Sequence, residues 1–424
     1  MNGAWQYEGG TVTANVNGIS QELTIQKFTV LFENCDIEED TGSAKFAAVG
    51  VLHGERAILP MLFDKAAVTT TRTDSDTWTA KTQHGTFTVE LLGDNRARFT
   101  GSMSLLGSNA AKADVDIVLS KLSSTATTID INTALNGEWQ TKVSVSEDGS
   151  TVNFADGGAY RFHDENIMPI AATFMNMTFS DTNIQAGTTK LSGIAVEEVV
   201  DVSGETSEYH TVSVALNGKT AKISHLFGDI YLISDVSPYP VIDISLIAMF
   251  DGGRLSIISE SYTEYNGIVE ESRALFTTDK TTESKLASLD EFIGSSWKSS
   301  LNVLDVYKDD EYFTLFDVDL MSLDVSFPSA DVENMKLTLT THAVVTAQDQ
   351  TVGEDISAVL NVNNAVLNVK SVGYNMLLGE SEVGNLFTVT LLTDKLAIVT
   401  GDISYTRGNR YDVDFLAVVR KVDE

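Results

Sequence analysis

The residues able to do chemistry are scattered, and none falls into a recognised catalytic spacing. The six histidines, His53, His84, His163, His210, His225 and His342, show no zinc-type spacing. His163-Asp164-Glu165 is the nearest approach to a ligand cluster, but adjacent residues on an extended chain point to alternate sides. Hard cations want several carboxylates, and Asp309-Asp310-Glu311 and Asp317-Val318-Asp319 supply them without the spaced ladder of a dedicated calcium loop. The pairs Glu38-Glu39, Glu197-Glu198 and Glu270-Glu271 are sequence neighbours, so on a strand their carboxylates face opposite ways. A glycosidase pair would have to come from distant positions. Cys35, the lone cysteine, has no histidine nearby and cannot form an intramolecular disulfide. No Gly-x-Ser-x-Gly elbow and no glycine-rich phosphate loop occurs. The expectation is a protein that is not an enzyme, with no cofactor and no metal.

The informative residues are tryptophans. Gly-x-Trp occurs at Gly3-Ala4-Trp5 and Gly137-Glu138-Trp139, and with one extra residue at Gly294-Ser295-Ser296-Trp297. Each heads a similar stretch of chain, and a fixed period marks a tandem array. The closing segments repeat too. Phe87-Thr-Val-Glu-Leu-Leu-Gly-Asp94 matches Phe387-Thr-Val-Thr-Leu-Leu-Thr-Asp394, and Ala113–Leu119 matches Tyr411–Ala417. The middle copy, Ile242–Asp251 with Glu271–Phe276, is more diverged. Val214–Lys219 reads like Ala358–Asn363, a strand running into a tight turn. Recurrence at equivalent places assigns the tryptophans to packing rather than to ligand stacking.

The elements that carry these residues are strands. Phe387, Val389 and Leu391 alternate with Thr388 and Thr390; Val413, Phe415 and Ala417 alternate with Asp412 and Asp414. Period two with one polar face describes a half-buried strand, its polar side in solvent. Asn17-Gly18, His53-Gly54, Asp94-Asn95, Asn217-Gly218 and Asp251-Gly252 read as tight turns. Many short strands suggest a closed barrel or a sandwich. Helical signal is confined to two lead-ins, Thr128–Leu135 and Thr282–Phe292. The segments 120–134 and 277–292 serve as linkers, giving units 1–124, 133–283 and 289–424.

A Gly-x-Trp on the first strand, a short helix before it and an up-and-down run of hairpins resemble the lipocalin-like (calycin) domains. The resemblance covers each block in turn. It implies an all-β fold of three tandem antiparallel up-and-down barrels with short helical lead-ins, each able to hold one small apolar ligand. It further implies a basic side chain from the last strand lying over the tryptophan. Lys121 and Arg420 are placed for this, while block two has Thr278 or Asp279 near the equivalent place. Gly3, Trp5, Gly137, Trp139, Gly294, Trp297, Lys121 and Arg420 are thus the expected barrel-end residues.

Composition narrows the partners. The net charge of −32, from 60 acidic and 28 basic residues, repels nucleic acid and anionic membrane surfaces. No apolar run reaches the ~20 residues of a spanning helix. Aromatic content of 8% is low for the girdles of a transmembrane barrel. The chain starts abruptly at Met1-Asn2-Gly3, which suggests a removed secretion signal. The sequon Asn176-Met177-Thr178 reads as coincidence. The expected function is a non-enzymatic secreted or cell-surface protein binding a small apolar ligand. The alternative is a structural or adhesive envelope component with packed barrels, whose partners are other envelope proteins.

Overall fold

The computed structural model describes residues 2–422 except 17–18, 34–40, 54–57, 84, 105–110, 124–126, 146–151, 155–157, 164–165, 202–207, 238–241, 252, 266–267, 283–291, 293, 309–310, 313–315, 350–353, 372–374, 383–385 and 408. The first barrel is closed and comprises β1 (Gly3–Val16), β2 (Ile19–Glu33), β3 (Thr41–His53), β4 (Ile58–Asp74), β5 (Thr77–Thr82), β6 (Gly85–Gly93), β7 (Arg96–Ser104) and β8 (Ala111–Lys121). Each strand pairs antiparallel with the next, and β8 returns to β1.

The second sheet follows a single helical turn, α1 (Ile131–Ala134). Its strands are β9 (Gly137–Thr141), β12 (Gly158–His163), β13 (Asn166–Asn183), β14 (Thr188–Asp201), β15 (Glu208–Phe227), β16 (Ile230–Ser234), β17 (Ile242–Asp251), β18 (Arg254–Tyr265) and β19 (Ile268–Lys280). Both β9 and β12 lie between β13 and β19, so they are two halves of one first strand. Between them a small hairpin, β10 (Val143–Val145) with β11 (Val152–Phe154), pairs only with itself. The third sheet runs β20 (Ser296–Lys308), β22 (Phe316–Asp331), β23 (Lys336–Asp349), β24 (Glu354–Ser371), β25 (Met376–Ser381), β26 (Leu386–Thr393), β27 (Leu396–Arg407) and β28 (Asn409–Lys421), with β21 (Glu311–Tyr312) beside β20. The β20–β28 pairing closes it.

Register shows how deep the repeat goes. Trp5 lies between Lys121 and Val30, Trp139 between Lys280 and Met177, and Trp297 between Lys421 and Val325. Two residues beyond the tryptophan the ladder slips, at Tyr7/Gly9 in the first barrel and at Ser299/Leu301 in the third. In the second barrel the strand breaks at this same place and residues 142–157 are inserted.

Asn217-Gly218 does not close a hairpin. It lies inside the continuous strand β15, as a bulge opposite Ser192. Gly218 has φ +65°, and its N–H donates to Ser192 Oγ at 2.8 Å. Asn364, inside β24, has φ +51° and donates to Thr340 Oγ1 at 3.2 Å. The two strands share the bulge, but two residues out of the register that the sequence suggested: Asn217-Gly218 corresponds to Asn363-Asn364, not to Asn361-Val362. The feature is a bulge because a positive φ serves a bulge as well as a hairpin turn. Asp94-Asn95, with φ +50° and +58°, does join β6 to β7. The other expected turns include residues outside the described set. Of the lead-ins, the first is helical only over α1, and the second lies largely outside the described residues.

Each barrel interior is apolar. Phe387, Val389 and Leu391 point into the third core as their alternation predicts; the side chains of Val413 and Phe415 lie outside the described residues. The opposite parity departs from expectation. Thr388, Thr390 and Thr400 are buried, as are Leu392, Leu396, Ile398 and Val418. The cause is the neighbouring barrel: Phe174, Ile194 and Val196 of the second barrel cover this face. A similar cluster joins the first two barrels, with Ala4, Val49 and Val51 against Phe227, Ile247, Met249 and Ile258. The barrels pack face to face. The linker between the first two is pinned as well: Thr127 Oγ1 and the Thr128 N–H donate to Asp229 at 2.7 and 2.6 Å, and the Thr128 hydroxyl bonds the same carboxylate.

Candidate functional site

The repeated glycine before each tryptophan has a backbone reason. Gly3, Gly137 and Gly294 have φ of +113°, +127° and +73°, a region costly for any side chain. At two of them a lysine also needs the space. An added Cβ would sit 3.2 Å from Lys121 Cε at Gly3 and 2.7 Å from Lys280 Cε at Gly137. The lysine then reaches the indole. Lys121 Nζ lies 5.8 Å from the Trp5 ring centre, Lys280 Nζ 5.4 Å from that of Trp139, and Lys421 Nζ 5.9 Å from that of Trp297. A cation over an indole face is worth about 0.5–2 kcal/mol, more as water is excluded.

These distances correct two assignments. In the third barrel the cation is Lys421, not Arg420; Arg420 pairs with Lys298 and Leu396 and so projects to the other side of the sheet from Trp297. In the second barrel it is Lys280, not Thr278 or Asp279. Residues directly opposite share a face, and Lys121, Lys280 and Lys421 lie directly opposite the three tryptophans.

The tryptophan ends are closed by local structure. Trp139 Nε1 donates to Leu135 O at 2.7 Å, and Ile131 and Leu135 of the α1 segment enter the second core. Lys280 Nζ donates to Ala134 O at 3.1 Å, and burial holds its pKa below the usual lysine range. In the third barrel Trp297 Nε1 donates to Ser295 Oγ at 2.9 Å, which donates to Phe292 O at 2.7 Å. Phe292 packs on Phe327 with ring centres 5.2 Å apart. A fourth tryptophan, Trp78, was not singled out by the repeat; Arg72 lies 5.8 Å from its ring.

The first barrel holds a partly open cavity of about 80 Å³. Phe28, Phe32, Leu52, Phe99 and Met103 line it, and among the described residues Thr82 is the one polar residue on its wall. Phe32 and Phe99 stack with ring centres 5.8 Å apart. Small residues make the room. Ala80, opposite Phe87, corresponds to Gly379, opposite Phe387. Beside Gly379 the third barrel is filled by Leu367, whose Cδ1 would lie 2.9 Å from an added Cβ. In the second barrel Trp139, Tyr231 and Phe250 form an edge-to-face series at 5.9 and 6.4 Å. Such a cavity offers contact area and almost no hydrogen bonding. Its described wall suits an apolar body.

Other candidates do not assemble. No group of three or more His, Cys, Asp and Glu able to hold a metal occurs among the described residues. Cys35, Glu38 and Glu39 lie outside them. Glu197-Glu198 lies within β14 and Glu270-Glu271 within β19. His225 leans on Tyr231 at 5.2 Å and contacts Gly228 O at 2.8 Å through a ring nitrogen. Asn176 is fully buried between the second and third barrels, its amide donating to Thr390 Oγ1 at 3.4 Å, so the folded protein cannot carry a glycan there. No described helix is long and apolar enough to cross a membrane.

No family model matches the chain, and no curated protein matches it. Among solved structures, a protein of unknown function of the DUF3598 family from Nostoc punctiforme is 12% identical and aligns over 69% of this chain and 97% of its own, with a TM-score of 0.21. The vaccine antigen Transferrin Binding Protein B from Haemophilus parasuis, as a double mutant, is 9% identical over 100% and 77%, with a TM-score of 0.19. The intact Ap-TbpB, with N and C lobes, is 9% identical over 100% and 78%, also at 0.19. At such scores the superpositions bear no argument about this chain.

Proposed function

We propose a non-enzymatic protein, secreted or held at the cell surface, in which one lipocalin-like barrel binds a small apolar molecule and the other two carry it. The observation behind this reading is the cavity of the first barrel, about 80 Å³ with an almost wholly apolar wall. The folding units of this proposal are 1–124, 133–283 and 289–424, and the Gly-x-Trp and lysine positions serve as barrel-end braces. A net charge of −32 suits an exposed acidic surface and disfavours nucleic acid and anionic lipid as partners.

The test is uptake of an environment-sensitive apolar dye by the whole chain. The expected result is one dye per chain, lost in Ala80→Leu, which fills the cavity at a cost of about 1–3 kcal/mol in overpacking. Uptake unchanged by Ala80→Leu removes the assignment to this barrel. The structural or adhesive reading, with other envelope proteins as partners, has its own support. The cavity is well below the roughly 300 Å³ of ordinary ligand pockets. Absence of dye uptake by the folded chain decides for it. Protease treatment of intact cells tests the location: a protected chain in unbroken cells contradicts surface exposure.

A further inference from the structure

The two junctions between barrels use the same two faces. At the first, Ala4, Leu31, Val49 and Val51 on the outside of β1–β3 meet the outer face of β16–β19. At the second, Phe174, Ile194 and Val196 on β13–β14 meet Met376, Leu392, Leu396, Ile398 and Val418 on β25–β28. Register makes the positions equivalent. Thr29 faces Val49 and Lys27 faces Val51 in the first barrel, as Asn176 faces Ile194 and Phe174 faces Val196 in the second. The early-strand face of each barrel therefore docks on the late-strand face of the next. A head-to-tail contact of this kind is not self-complementary and, unless its rotation closes a ring, propagates from copy to copy until something stops it.

The two uncovered faces carry more charge than the junctions, where Thr29, Asn176 and Lys27 stand among apolar residues. On the third barrel, Asp324 stands at the Thr29/Asn176 position, and its cross-strand partner His342 at the Val49/Ile194 position. His342 and the nearby Lys298 are exposed. On the first barrel, Phe87 pairs with Gly101 as Phe387 pairs with Gly401, which places Arg96 where Leu396 lies and Arg98 where Ile398 lies. Arg98 donates to both Asp116 oxygens at 2.8 and 2.7 Å, and Arg96 to Glu8 at 2.8 Å. All four side chains are exposed. Burying such pairs under another barrel costs desolvation that their mutual attraction does not repay. Repeat arrays need polar outer faces on their terminal units for the same reason.

We infer that the chain is a self-terminated stack: its two end faces are charged versions of its own junction faces, and they keep copies of the chain from adding end to end. Light scattering of the whole chain should give the mass of one copy. Two variants then open one end each. The first carries Arg96→Leu, Arg98→Ile and Asp116→Leu, the residues found at the matching positions of the third barrel. The second carries Lys298→Gln, Asp324→Asn and His342→Ile, taken from the second barrel. Each alone should remain one copy, and an equimolar mixture should shift toward twice the mass as concentration rises. If either triple variant fails to melt cooperatively, the single changes Arg98→Ile and His342→Ile, mixed and read by crosslinking, make the same test. Folded variants that stay single when mixed overturn the inference. So does a wild-type chain that forms end-to-end oligomers.

Discussion

Strands β6–β8 and β26–β28 are one hairpin unit with two exteriors. Inward, the first barrel has Phe87, Val89, Leu91 and Ala97, and the third has Phe387, Val389, Leu391 and Ala397. Outward, the first has Glu90, Arg96 and Arg98, all exposed, where the third has Thr390, Leu396 and Ile398, all buried. The inward parity carries the barrel, and the outward parity decides whether a neighbour sits on it. One backbone thus supports opposite surfaces, because alternate residues of a strand answer to different surroundings.

The sharpest way to break this comparison is to attack what the barrels share. Trp5→Ala, Trp139→Ala and Trp297→Ala should each destabilise by about 3–5 kcal/mol, the cost of truncating a buried aromatic. All three rings are 2–3% exposed, so denaturant melts should register all three changes alike. A loss within about 0.5 kcal/mol at any one of them would mark that ring as a surface residue and end the equivalence.

Ile398→Arg attacks what they do not share. It places the first barrel's residue into a junction where Ile398 is 0% exposed. An uncompensated buried charge costs about 3–5 kcal/mol. The second and third barrels should then lose their joint melting transition, or the third should melt earlier. A single unchanged transition would show that the junction contributes little.

The inward half was legible in the sequence, and the outward half only by comparison between repeats. Gly-x-Trp, the alternation at 387–391 and the repeated closing hairpins suffice for three all-β barrels, because period two reports directly on a buried face. Within the last strand the residue match is two off, Ile117 rather than Leu119 standing at the Ala417 position. Alternation predicted solvent at Thr388 and Thr390. It cannot distinguish water from another barrel when the outward residues are threonines, which suit both. Lys421, not Arg420, continues the inward parity of Ala417 and Val419, so the alternation of the last strand already pointed to it. The bulge at Ser299/Leu301 adds its extra residue to the first strand and leaves that parity unchanged. The first-barrel cavity was not legible at all. It depends on Ala80 and its neighbours leaving space together, a property of volume rather than of pattern.

A smaller effect sits at the pinned linker. Burial opposes ionisation of Asp229, yet hydrogen bonds from Thr128, Thr127 and the backbone N–H groups of Thr128 and Ile129 outweigh it and hold the carboxyl below its usual range. A depressed folded pKa stabilises above the unfolded value of about 3.9 and loses that contribution as pH falls through the folded value. Asp229→Asn should cost about 1–2 kcal/mol near neutrality, the scale of a lost charge-assisted bond. The difference from wild type should shrink below pH 4. A gap that persists undiminished in acid would assign the cost to packing instead.

Arg98→Ile is the reciprocal of Ile398→Arg and should be the smallest change of all. It removes the pair with Asp116, whose pKa the Arg98 hydrogen bond lowers. Both side chains are close to half exposed, at 46% and 49%. Exposed pairs contribute about 0–1 kcal/mol, since water screens the attraction and two long side chains lose freedom to make it. Isoleucine also suits a strand better than most residues, which offsets part of that loss. The melt of the chain should therefore barely move, against a clear loss for the opposite exchange. That asymmetry separates two accounts of the charged face. If Arg98 and Asp116 hold the barrel together, their removal should destabilise it as a core change does. If they keep the face uncovered, stability stays put and only association changes. A large loss of stability in Arg98→Ile would favour the first account and take away the reason for reading the two exteriors as alternatives on one frame.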